Sequence, residues 1–149
     1  MSYLDKKAYA GQIARGGESP YISKAYTNLS EGVIDFGVFV AVRGARGVTT
    51  LSKATDNIAG VTPKLGTKSE NAKGDIVSVF SVAHGSEIWV QGKDEHGLNI
   101  GDEIQIEATA GADAGKVAKA ATLAVTAAKG KFYAVDVLGN LIKITRKEA

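Results

Sequence analysis

Cysteine is absent from all 149 residues, which removes disulfides and thiolate chemistry at a stroke and is compatible with a cytosolic origin. Long apolar runs are missing as well: no stretch approaches the roughly 20 residues that a membrane-spanning helix requires. The opening "MSYLDKKAYAGQ" lacks the apolar centre of a secretory signal. Nor does charge of one sign predominate. Eighteen basic residues face sixteen acidic ones, intermixed along most of the chain, and only the terminal "KITRKEA" gathers positive charge. A nucleic-acid surface concentrates Lys and Arg on one stripe to displace counterions, so no specific nucleic acid is expected as partner. Two prolines leave little rigid linker, and one Trp leaves little for an aromatic binding platform.

What is abundant is glycine, eighteen copies, set between short β-branched runs. Those runs are "GVIDFGVFVAV" (32–42), "IAGV" (58–61), "DIVSVFSV" (75–82), "EIWVQ" (87–91), "EIQIEA" (103–108), "KFYAVDVL" (131–138) and "LIKIT" (141–145). Short strands separated by turn residues predict an all-β barrel or sandwich. In "EIQIEA", Ile104, Ile106 and Ala108 alternate with Glu103, Gln105 and Glu107, the pattern of a strand buried on one face. Gly139-Asn140 between two apolar runs predicts a two-residue hairpin turn, because Gly reaches positive φ without steric cost. Gly74-Asp75 and Gly101-Asp102 each launch a strand. The unit recurs because β-domains reuse turn chemistry, without any need for an internal duplication.

Two regions depart from this pattern. Residues 109–130, "TAGADAGKVAKAATLAVTAAKG", are Ala-rich, and their periodicity fits both a loop leading into a strand near 121–127 and a short helix. Residues 1–31 have no sustained period but carry spaced anchors: Tyr3, Leu4, Tyr9, Ile13, Tyr21, Ile22, Tyr26 and Leu29. Ordering such a segment costs more backbone entropy than a few large side chains clearly return. An extended arm over 1–31 is therefore expected to order against a preformed surface, either its own barrel over 32–149 or a partner's.

Candidate chemistry is thin. His84 and His96, with Asp94, Glu95 and Asp102 nearby, match no metal-ligand spacing. "DFG" at 35–37 lacks every other part of a kinase, and Phe36 and Gly37 read as belonging to a strand with a bulge or close backbone approach. "RGARG" at 43–47 reads as a hairpin turn with solvated arginines. The adjacent pairs Asp94-Glu95 and Asp102-Glu103 point to opposite faces of an extended chain. Trp89 reads as a core or interface anchor. No catalytic residue, metal site or cofactor is expected, and an enzyme is not.

The succession "EGVIDFGVFVAVRG", "DNIAGVT", "AKGDIVSVFSVAHGSEIWVQ" and "LNIGDEIQIEATAG" resembles the structural cement, or capsid decoration, proteins of tailed bacteriophages. The likeness covers roughly residues 30–110 well and the C-terminal third loosely; the long Ala-rich stretch departs from it. It implies a β-barrel or jelly-roll module on the outer surface of an icosahedral head. There it would bridge neighbouring major capsid subunits as a virion component made in the host cytoplasm. It also implies a homo-oligomer, with a dimer favoured, and the eight anchors of residues 1–31 as capsid contacts. Competing expectations are another virion part, such as a head fibre or tail component, and a single-stranded nucleic-acid-binding barrel. The barrel would need aromatic and basic side chains interleaved on one strand face, which "EIQIEA" and "DIVSVF" do not offer.

Overall fold

A computed structural model of the chain describes residues 8–15, 22–53, 55–64, 69–83, 85–119, 126–127 and 132–147. Among them the fold is all-β. Five strands close a small barrel in the order β2 (Ile22–Asn28), β4 (Gly47–Thr50), β3 (Phe39–Arg43), β5 (Ile58–Val61) and β6 (Ile76–Ser81). A four-stranded sheet lies beside it: β1 (Ile13–Arg15), β7 (Glu87–Gln91), β12 (Leu141–Arg146) and β11 (Phe132–Leu138). A third, smaller sheet joins β10 (Thr126–Ala127), β8 (Gln105–Glu107) and β9 (Val117–Ala118). Each ladder between these strands is antiparallel except β2 with β4, which closes the barrel in parallel register.

Alternation along the barrel strands sorts their side chains into two cores. Val38, Val40, Val48, Val77 and Val79 point inward with Ile34, and Tyr26 and Ala59 pack against them. The intervening residues Phe39, Ala41, Val61 and Phe80 point outward and join Ile88, Val90, Ile104, Ile106, Ile142 and Ile144 of the flanking sheets. Thus β3 is buried on both faces at Phe39, Val40 and Ala41, and one barrel wall is shared between the two cores. Phe39 meets Phe132 with ring centroids 5.1 Å apart and tilted by 50°, an arrangement that suits the ring quadrupoles.

The predicted turns form as expected. Leu138 pairs with Leu141 across Gly139-Asn140, with Gly139 at φ 62°. The two Gly-Asp units share one construction. Asp75 accepts from Ala72 N–H and returns its own N–H to Ala72 C=O, and Asp102 does the same with Asn99. Each aspartate closes a local turn that hands the chain to a strand.

Some expectations change. Residues 22–28, placed within the arm, are a barrel strand: β2 runs antiparallel to β6 from Ile22↔Ser81 to Thr27↔Ile76. Residues 13–15 likewise pair with β7. The described part of residues 1–31 therefore lies on this chain's own scaffold, the first of the two surfaces considered. Within "EIQIEA" residues 104–108 are buried on both faces, with Gln105 2% and Glu107 6% exposed, while Glu103 stays exposed. Of the Ala-rich stretch, 117–118 and 126–127 are strands; residues 120–125 and 128–131 lie outside the described residues.

Candidate contact surface

The polar residues singled out in the sequence serve the scaffold. His96 is buried and bonds backbone at both ring nitrogens: Leu98 N–H donates to Nδ1 at 2.9 Å, and Nε2 lies 2.8 Å from Gly139 C=O. Because Nδ1 accepts, the ring proton sits on Nε2 and points at that carbonyl. The ring thereby ties the 96–98 loop to the β11–β12 turn. Asp94 accepts from the Asn140 side chain at 2.8 Å, and Asp102 lies 3.5 Å from Lys119. Among the described residues no three His, Cys, Asp or Glu side chains come together to hold a metal; His84 lies outside them. Gly37 of the "DFG" triplet abuts the Ala10–Gly11 backbone, where an added Cβ would stand 2.7 Å from Gly11 N. "RGARG" forms the β3–β4 hairpin with both arginines exposed.

Among the described residues one ion pair holds a buried carboxylate. Lys93 Nζ lies 2.7 Å from Glu107 Oε1, and the other carboxylate oxygen accepts from Thr109 N–H. Burial alone would raise the Glu107 pKa, but the hydrogen bonds from Lys93 and Thr109, with the charge of Lys93, outweigh it and hold the group below its ordinary value. Trp89 is a core residue of β7, with Lys143 Nζ 5.6 Å from its ring centroid.

One shallow pocket is lined by Lys24, Tyr26, Ala59, Val79 and Ser81 of the barrel, and a second, where the barrel meets the flanking sheet, by residues including Ile58, Val82, Phe132 and Arg146. Neither gathers a catalytic set. Exposed apolar side chains are the more informative feature. Leu29, Val33, Val42 and Ile76 lie toward the barrel end where β2 finishes and β6 starts. Ile100 adjoins β11, Leu138 ends it, and Tyr9 precedes the Gly11 that bonds Trp89 of β7. Of the eight anchors expected to make contacts, Tyr9 and Leu29 are exposed. Ile13 and Tyr26 pack against the protein's own cores. Ile22 is in β2, while Tyr3, Leu4 and Tyr21 lie outside the described residues. Val33 and Ile76 sat inside runs read as strands and Ile100 in the turn before "EIQIEA", and nothing in their local sequence marked them as exposed.

A family described as XM1 gp53 minor capsid protein matches residues 2–146. The chain belongs to that family. A chain in the solved capsid of Myoviridae phage XM1 has the same fold as this minor capsid family member. The TM-score is 0.74 at 17% identity, over 95% of this chain and 92% of that one. No curated protein matches. The family is a structural capsid family, in keeping with buried polar residues that hold turns together. No helix of the described residues is long and apolar enough to cross a membrane.

Proposed function

We propose that this protein, a capsid-associated virion component by its family, is a cement or decoration protein. It binds the outer surface of an icosahedral phage head and bridges neighbouring major capsid subunits. The observation that carries the reading is the family match over residues 2–146. The physical design supports it. A closed barrel with a wall shared between two cores is preorganised, so docking costs little internal entropy. Modest contacts repeated by symmetry over a shell add up without any single tight one. The partners are thus the major capsid protein and further copies of this chain, with a dimer the simplest bridge between two capsomers. Neither a membrane nor a specific nucleic acid is part of the mechanism, and no reaction is catalysed.

The arm role contracts with the fold. Residues 13–15 and 22–28 are strands of this chain's own sheets, so of the eight anchors Tyr3, Leu4, Tyr9, Tyr21 and Leu29 are the ones left to contact the shell. Co-sedimentation of the purified protein with shells lacking it tests the proposal. Saturable binding, and shells that resist heat better once decorated, are expected. Protein that remains in the supernatant at every concentration would refute the reading.

A further inference from the structure

We propose that the outer face of the barrel wall formed by β6, β2, β4 and the end of β3 is the shell-docking face, and that it receives an apolar segment of a capsid subunit flanked by carboxylates. This rests on the shell-binding reading above and adds where the contact lies and what chemistry meets it. Strand register assembles the face. Ile76 pairs with Thr27, Thr27 with Gly47, and Gly47 with Arg43, so these four residues form one row across four strands and point to the same side. The inward residues of the same strands, Tyr26, Val48 and Val77, fill the barrel, which fixes this side as the outer one.

Ile76 is 63% exposed in the row, and Leu29, 44% exposed, lies over Gly47, where a Cβ would collide with its side chain. Ala25 and Ser78 form the next outward pair. Ala25, Thr27, Leu29, Ile76 and Ser78 carry no charge, so covering them avoids the large desolvation cost of buried ions. Two exposed large aliphatic side chains gathered at one end of a strand face, where β2 finishes and β6 starts, mark an interaction site more than apolar residues scattered singly.

The partner's chemistry follows from the border. Arg43 ends the row, and Arg46 lies in the adjoining turn. Both are exposed and neither makes an ion pair among the described residues, whereas Lys73 on the opposite border is held by Glu31 at 3.1 Å. Two uncommitted guanidiniums beside an uncharged apolar face are complementary to a segment bearing Asp or Glu next to apolar side chains. Arginine's planar fork binds such carboxylates bidentately.

The test is co-sedimentation of full-length variants with shells lacking the protein. Arg43→Glu combined with Arg46→Glu, and separately Ile76→Asp, alter exposed side chains and are expected to melt like the native protein. Each should weaken shell binding by about tenfold or more, as loss of a central contact does, while Ile100→Asp, on the β11 side, should bind normally. Native binding should weaken as salt rises. Native protein that leaves shells bare overturns the shell-binding reading and this inference with it. Native binding that all three variants match overturns the docking face alone. A native dimer that Ile76→Asp converts to monomer assigns the face to a second copy and overturns the capsid segment as its occupant.

Discussion

Two side chains show how polar residues were committed to structure rather than chemistry. His96 gives up both ring nitrogens to backbone partners, so His96→Ala leaves the Leu98 N–H and the Gly139 carbonyl without them. A loss of about 1–3 kcal/mol is expected, read as a shift of the urea midpoint. Glu107 makes stability depend on acid. Its folded-state pKa is lowered, so its contribution is fully present above the ordinary carboxylate range and is lost as pH falls through the folded value. Glu107→Gln should lower stability at pH 7 and also flatten the decline on acidification; melting curves between pH 7 and pH 3 check both. The sequence offered His96 and Glu107 as polar turn and strand residues. It could not show them buried, since burial depends on what crosses above them.

Elements were legible where their pattern was local. "IAGV" at 58–61 and "EIWVQ" at 87–91 coincide with β5 and β7, and the Gly139-Asn140 turn forms as read. β2 was not legible: "ISKAYTN" mixes Ala, Lys and Asn into its alternation, and β6 and β4 supply the partners that make it a strand. Asn28 at its end is fully buried and bonds Gly32 C=O, Asn71 C=O and Ser30 through its side chain. Two truncations should therefore part company. Removal of residues 1–12, ahead of β1, is expected to leave a cooperative β-sheet spectrum, whereas removal of 1–28 takes out a barrel wall and should abolish it; circular dichroism with melting distinguishes the two. Gly115 makes a similar point. At φ 84°, its added Cβ would collide with Phe39 C=O, and its own C=O accepts from Phe39 N–H at 3.0 Å. Gly115→Ala should cost about 2–4 kcal/mol through combined strain and overpacking.

At the scale of the molecule, the wall at β3 is shared by both cores, and barrel and flanking sheets are expected to unfold as one cooperative unit. Phe39→Ala would open the contact with Phe132 and the core behind it, at a cost of about 3–5 kcal/mol. Barrel and flanking sheets should still melt in a single transition; two separate transitions would show that the cores are independent. Such unity suits a protein whose proposed work is to hold a shape against a shell. By itself the sequence determined the all-β class and most turns, because alternation and Gly-Asp or Gly-Asn chemistry act within a few residues. It also carried the resemblance to capsid proteins, in its turn-and-strand motifs. Only the tertiary structure decided that β2 closes the barrel, that Gln105 and Glu107 are buried, and that Ile76, Thr27, Gly47 and Arg43 share a row. Those facts depend on register between strands far apart in the chain, and register is set by packing rather than by any one segment.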